Sequence, residues 1–304
     1  MSGFTRLFSF ILFARLASPV FAMEVKPPTL DIVAAPGGLA TSVFVLRNTE
    51  IVQETYTFTL QGFRANGEDG RQTFLPVTET AGLPNWLYLN RSTVTLKPGE
   101  SAPIVFQLRP PKSAAPGAYQ AVVFANHEDK HGDNGVALGS RVGVLVFATI
   151  TGDIKHSLRI TAFERLGARV VDRLPMAFSA VLRNDGASHE LPQGHVAISN
   201  VLGQLTTTLD LQNSTTPLRI VPNSSRRFEL RWGDECAEQG FLGELRCEWR
   251  PFTFGIYRAR VVLDGAMEAA SSDELRFFVI PWRTLGLVLL MILLFMAGRR
   301  LDRH

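Results

Sequence analysis

Between Ala40 and Ile150 the chain alternates apolar and polar positions in short runs. ATSVFVLRN, ETYTFTLQGF, WLYLN, STVTL, SAPIVFQLRP, AYQAVVFAN and RVGVLVFATI follow one another, each rich in Val, Phe, Thr or Tyr. Side chains of an extended strand point to opposite faces in turn, so a period of two predicts half-buried strands. APGG, ANGEDG, KPGE, APGA and HGDNG lie between the runs and supply turn chemistry. The same texture resumes after Gly152 with KHSLRITAF, MAFSAVLRN, GHVAISN, RRFELRW and IYRARVVL. No amphipathic helix separates the strands, which predicts an all-β class of sandwich type rather than a parallel sheet with crossover helices.

The two halves echo each other. VLRN occurs as Val45–Asn48 and again as Val181–Asn184; LKPGES (Leu96–Ser101) answers IVPNSS (Ile220–Ser225); GAYQAVVF (Gly117–Phe124) answers GIYRARVV (Gly255–Val262). The order is the same in both. Pro98 and Tyr119 are 21 positions apart and Pro222 and Tyr257 are 35, so the second copy holds 14 extra residues, among them the insert GDECAEQGFLGELRCEWRP. Two tandem sandwiches are expected, over 23–152 and 153–280.

Both ends break the pattern. Arg6, an apolar run from Leu7 to Ala14 and Val20-Phe21-Ala22 have the layout of a secretory signal peptide over 1–22, although Arg15 shortens the apolar region and leaves an uncleaved anchor as the alternative. At the other end Leu285–Ala297 is uncharged, and Arg299, Arg300 and Arg303 follow at once. Leu285 to Gly298 reaches about 21 Å as a helix against a hydrocarbon core of about 30 Å. The shortfall shrinks if Trp282 lies in the headgroup layer and Arg283 snorkels beside it. The expectation is a transmembrane helix over 281–298 with a cytoplasmic tail over 299–304. The positive-inside rule then puts both domains outside the cytoplasm, in a single-pass cell-membrane protein.

Charge changes the picture once the ends are set aside. The whole chain carries a net +3, but Arg6, Arg15, Arg283, Arg299, Arg300, Arg303 and Asp302 lie at the ends. Without them 25 basic residues face 27 acidic ones between Met23 and Ile280, a net −2. A near-neutral ectodomain has no electrostatic footprint for nucleic acid. The two cysteines, Cys236 and Cys247, lie in one polar loop sequence and predict a local disulfide in an oxidising compartment. Two ligands without a nearby histidine are too few for zinc. Closing so short a loop contributes about 3 kcal/mol on the chain-entropy model.

Candidate chemistry is sparse. His127, Asp129, His131 and Asp133 in NHEDKHGDNG would share one side of an extended strand and offer mixed N and O ligands. Gly132, Asn134 and Gly135 make the same segment a solvated hairpin loop, which is the expectation; no metal and no cofactor are assigned. His156, His189, His195 and His304 are dispersed, and no nucleophile elbow, phosphate loop or H-E-x-x-H occurs, so no catalytic residue and no enzyme activity are assigned. Trp86 and Tyr88 alternate in LPNWLYLN and would share a strand face, as core or edge plug rather than a sugar platform. Asn90, Asn213 and Asn223 begin sequons that decide nothing. The insert carries Phe241, Leu242 and Trp249, which either pack against the sandwich or form a partner contact.

APGGLATSVFVLRN, NWLYLNRSTVTLKPGES and PPKSAAPGAYQAVVF resemble the N-terminal domain of the bacterial WxL-interacting proteins, itself similar to the immunoglobulin-like domain of periplasmic pilus chaperones. LPQGHVAISNVLGQ, LRIVPNSSRRFELRW and FGIYRARVVL look like a divergent form of the same family's C-terminal domain. The resemblance implies two tandem immunoglobulin-like β-sandwiches and a surface-anchored binding protein. Its first domain would associate with peptidoglycan and its second with a surface protein partner. The cysteine insert departs from the family pattern.

The expectation is therefore a membrane-anchored extracytoplasmic binding or scaffolding protein of a bacterial envelope. The alternative is a chaperone-like assembly factor presenting an edge strand to clients. That role would want a basic pair in an interdomain cleft, which the sequence alone does not assign.

Overall fold

Phe44, Leu46 and Asn48 are buried while Val43, Val45 and Arg47, which alternate with them, are exposed. One face of this strand fills a core and the other meets solvent, as the alternation requires. The computed structural model describes residues 23–78, 82–128, 139–213, 217–236, 238, 240–249, 253–264 and 272–301. The expected signal segment lies outside them.

The first ten strands are β1 (Met23–Lys26), β2 (Thr29–Ala34), β3 (Ala40–Asn48), β4 (Glu54–Asn66), β5 (Arg71–Phe74), β6 (Leu87–Leu89), β7 (Thr93–Leu96), β8 (Ser101–Leu108), β9 (Gly117–Glu128) and β10 (Gly139–Ile150). They form a sheet β1-β3-β8-β6 and a sheet β2-β10-β9-β4-β5, with β7 also pairing β4. Tyr56, Phe44, Phe106, Ile104 and Leu108 fill the core between them. The next eight are β11 (Leu158–Leu166), β12 (Val170–Val171), β13 (Met176–Asn184), β14 (Gly194–Asn200), β15 (Leu205–Asp210), β16 (Ser224–Trp232), β17 (Gly255–Leu263) and β18 (Leu275–Val279). Sheets β11-β13-β16 and β12-β18-β17-β14-β15 enclose a second core around Phe178, Phe228, Trp232 and Phe277. The fold is all-β, two immunoglobulin-like sandwiches in tandem, followed by one apolar helix.

The repeated VLRN makes the same corner twice. Asn48 Nδ2 donates to Val52 O at 2.8 Å and Leu96 O at 3.0 Å, and its Oδ1 accepts from Glu50 N at 2.8 Å. Asn184 Nδ2 donates to Ser188 O at 2.7 Å and Ile220 O at 3.1 Å, and its Oδ1 accepts from Gly186 N at 2.9 Å. Leu96 and Ile220 are the residues that open the paired LKPGES and IVPNSS segments. Both asparagines are fully buried, so each is a polar hub whose partners have no access to replacement water. In the first sandwich Tyr56 also donates its hydroxyl to Asn48 Oδ1 at 2.8 Å, and burial pushes the Tyr56 phenol up to about 12.

Three expectations need correction. His127 is not in a solvated loop: it lies on β9, 5% exposed, with Nδ1 3.4 Å from the Glu54 carboxylate and its ring 5.8 Å from that of Tyr56. The strand simply runs further than the turn residues implied; Asp129, His131 and Asp133 lie outside the described residues. His127→Ala is accordingly expected to cost about 2 kcal/mol by opening a cavity beside Tyr56, read as a lowered denaturation midpoint. An unchanged midpoint would return His127 to the surface.

Trp86 and Tyr88 do not share a face. Trp86 ends a 3-10 turn (Leu83–Trp86) and packs edge-on to Tyr119 at 4.7 Å, whereas Tyr88 is exposed beneath the Arg109 guanidinium. Alternation begins only at Leu87, one residue too late to align them.

The cysteine insert is not a loop alone. It contains a helix, α1 (Gly240–Trp249), whose Leu, Glu and Arg residues are good helix formers. The last element, α2 (Trp282–Leu301), has 20 residues, so it extends about 30 Å. It is longer than the uncharged run suggests because Trp282, Arg283 and Thr284 already belong to its first turn. It is the one helix among the described residues long and apolar enough to cross a membrane, and nearly all of it is exposed.

Candidate functional site: a strand edge beside the interdomain cleft

Ala121 to Ala125 on β9 are buried without a break, which a sheet with one wet face would not allow. The outer face of the sheet is aromatic. Phe63 meets Phe147 and Phe74, and Phe74 meets Phe124, all edge-on with centroids 5.0–6.4 Å apart. Val221 of the second sandwich joins this cluster with Val122. Arg141 lies over the Phe124 ring at 4.3 Å and Arg219 over Phe147 at 4.3 Å, cation–π contacts that shield the ring faces.

Polar contacts then tie the sandwiches together. Arg219 makes a bidentate pair with Asp31 of β2, and Arg227 pairs with Glu68 while its backbone N–H donates to Glu68 O at 2.8 Å. Ala118 N donates to Ala187 O at 2.7 Å. His189 packs edge-on to Phe147 at 5.1 Å; burial, then the Arg219 cation, holds its imidazole down at about 4.

A cleft of about 420 Å³ opens beside this interface. Asp31, Phe63, Gln72, Leu145 and Phe147 line it from one sandwich, and Leu218, Arg219 and Arg226 from the other. Arg226 is half-buried, and desolvation lowers its pKa. Its Nη1 donates to Arg219 O at 3.4 Å, and no carboxylate among the described residues forms an ion pair with it. Only the fold brings Arg219 and Arg226, seven residues apart in the sequence, into one cleft, where Arg219 pairs with Asp31.

The cleft adjoins an incomplete sheet edge. Only Leu145–Ile150 of β10 pair with β2. Leu145 N donates to Pro28 O and Thr151 N to Ala34 O, so odd-numbered residues send their backbone groups toward β2. Those of Arg141 and Gly143 therefore point out of the sheet, where no described strand pairs with them. Val142, Val144 and Val146 meanwhile face the core, the last two fully buried and Val142 partly so. Gly143 is required here, since a Cβ would stand 2.7 Å from Val122 Cγ2 and 3.0 Å from the Phe124 ring.

The remaining sequence candidates fall elsewhere. Cys236 and Cys247 are bonded, with Cα atoms 5.7 Å apart. Phe241, Leu242 and Trp249 are all exposed on α1. Arg283 does not snorkel: it pairs with Asp172 at 2.5 Å, Glu244 at 2.6 Å and Glu248 at 3.0 Å. Glu248 also accepts from Thr284 N and Thr284 Oγ1, both at 2.9 Å, capping the first turn of α2. His156, Ser188 and Glu190 do cluster, but Ser188 Oγ and Glu190 Oε1 both approach the same ring nitrogen, Nδ1. A proton relay needs one partner on each nitrogen. Among the described residues no group of three or more acidic, histidine or cysteine side chains has the geometry to hold a metal ion.

No protein-family model and no curated protein matches the chain. Among solved structures it is similar to the class 5 fimbriae chaperone CfaA, at 10% identity over 85% of this chain and 99% of that one, with a TM-score of 0.42. The CsuC–CsuE chaperone–tip adhesion subunit pre-assembly complex of Acinetobacter baumannii Csu pili aligns at 10% identity over 84% of this chain and 97% of that one, TM-score 0.37. A PapD-like domain of human CEP192 aligns at 11% identity over 49% of this chain and 99% of that one, TM-score 0.30. Likenesses this weak say nothing of function; the fold stands on its own sheet order and cores.

Proposed function

We propose that the protein is a membrane-anchored binding module of a bacterial envelope that takes up an extended segment of a partner protein along the open half of β10. The observation that carries this reading is the edge itself: the backbone groups of Arg141 and Gly143 are aimed outward beside a row of valines facing the core. An added strand would satisfy the edge and cover Val142, the physics of β-augmentation. The adjoining cleft supports it, because Arg226 forms no ion pair with a carboxylate among the described residues and suits an acidic group on the partner.

In this reading α2 is a single membrane span and both sandwiches lie outside the cytoplasm. A surface protein is the partner class, in keeping with the resemblance to WxL-interacting proteins. A chaperone-like role differs only in that the segment is later released; a fixed anchor favours a standing partner.

The test uses a photo-crosslinking residue at exposed Ser140 in living cells. Arg141→Pro removes one outward N–H without touching the ladder to β9, and Arg141→Ala removes only the side chain. The expected result is a discrete protein adduct retained in Arg141→Ala and lost in Arg141→Pro. Equal adduct in both variants would sink the strand-pairing reading, and release of the chain by alkaline washing of membranes would sink the anchor.

A further inference from the structure

The helix α1 is amphipathic in the wrong sense for a soluble domain. At 100° per residue Phe241, Leu245, Trp249 and Leu242 fall within an arc of about 100°. Three of the four face outward, Phe241 58% exposed, Leu242 77% and Trp249 66%, with Leu245 half-buried between them. The inward side carries buried Cys247 and Glu248, the first in the disulfide and the second on α2. A helix that turns Glu244 and Glu248 inward and Phe241 and Trp249 outward, with Arg246 its one exposed charge, lacks its own solvent.

Its position says which surface covers it. Strand β18 ends at Val279 and α2 begins at Trp282, so two residues, one of them proline, join sandwich to helix. Such a connection spans at most about 7 Å. If α2 crosses a bilayer, the end of the second sandwich cannot stand clear of the headgroups. That end is apolar beyond α1 as well, with Val170, Ile280 and Trp282 exposed around the root of α2 and lining one shallow hollow.

We propose that α1 is an interfacial helix: it lies in the membrane surface with Phe241, Leu242 and Trp249 in the boundary between headgroups and acyl chains. This rests on the reading of α2 as a span. The lock between the two helices serves the arrangement. Glu244 and Glu248, one turn apart, both grip Arg283, and the disulfide fixes Cys247 to Cys236 at the end of the β16 connection. Apolar side chains of a surface helix enter about 5–10 Å into the interface, which matches residues held beside the first turn of a span. The second sandwich is then seated on the bilayer at a fixed angle instead of swinging on a tether.

The experiment reconstitutes the full chain in phosphatidylcholine vesicles, unbrominated or brominated at an upper acyl position. Trp282→Phe leaves Trp249 as the one strongly exposed tryptophan, since Trp232 is buried in the second core and Trp86 packs against the first. Flotation with the vesicles reports the span, and loss of Trp249 emission in brominated lipid reports α1. The inference expects both, with the emission loss absent from Trp249→Phe in the same background. It also expects the quenching to weaken in Phe241→Ser/Leu242→Ser, which changes exposed residues and leaves the cores intact. A chain that floats while its Trp249 emission is the same in both lipids overturns the interfacial helix and leaves the span standing. A chain that does not float overturns the span and the inference with it.

Discussion

Asn48→Ala is expected to destabilise the first sandwich by about 3–5 kcal/mol, because a lost buried hub leaves several groups unpaired at 1–3 kcal/mol each. The side chain satisfies the carbonyls of Val52 and Leu96, the N–H of Glu50 and the hydroxyl of Tyr56, and alanine satisfies none. Asn48→Asp divides the loss: it keeps an acceptor for Glu50 N and Tyr56 but strands the two carbonyls. The matching change Asn184→Ala should cost the second sandwich slightly less, since it has three of these bonds and no tyrosine. Denaturant titration of the full chain in detergent measures both. A loss below about 1 kcal/mol for either would mean that the corner relaxes and finds other partners, an ordinary surface-like outcome.

Acidification is expected to weaken the joined sandwiches through His189. Its imidazole is held at about 4 in the folded chain against an ordinary 6.5, by burial first and by Arg219 second. The folded state therefore prefers the neutral ring. Above the ordinary value both states are neutral and nothing changes. As the pH falls from about 6.5 the unfolded chain gains a proton that the folded chain refuses, so stability falls. The loss levels off near pH 4, where the folded ring also protonates, and the 2–3 unit separation corresponds to about 3 kcal/mol. His189→Gln should flatten this limb while keeping the amide within reach of Gln120. The carboxylate of Asp185, held low by hydrogen bonds from Arg159 and Arg183, contributes at lower pH and is common to both proteins. Identical pH profiles for wild type and His189→Gln would show that the ring is not buried at the interface in solution.

The proposed strand-accepting edge and the proposed seated root would make one arrangement. The open half of β10 belongs to the first sandwich, the root of α2 to the second, and Arg219–Asp31, Arg227–Glu68 and the phenylalanine cluster connect them. A partner segment on β10 would thus be held at a defined height above the bilayer, provided the interface stays closed. The acid-labile His189 lies in that interface.

Alternation and strand-forming composition were sufficient for β3, β4, β8, β9, β10, β13, β14, β16 and β17, although β9 and β13 turn out to bury both side-chain rows. β5 and β15 are largely polar, RQTF and LTTTLD, and β12 has two residues, so no apolar period registers there, whereas the equally short β6 and β7 are marked by aromatic and β-branched residues. The echo of VLRN was legible for a related reason: the corner it builds is a local Asn turn repeated with the same spacing to a downstream carbonyl. The disulfide was legible from two cysteines in one short segment. Tertiary structure alone decided the rest. Whether the second face of β9 is dry depends on Phe63, Phe147 and Val221 arriving from three different segments. The fate of Arg283 depends on Asp172, Glu244 and Glu248, up to 111 residues away, which replace the expected snorkel with ion pairs. The outward stripe of α1 is written in the sequence as four apolar residues, yet its direction follows from the disulfide and from Glu248 facing α2. A sequence records which residues share a face; which way that face looks is settled by the contacts on the other side.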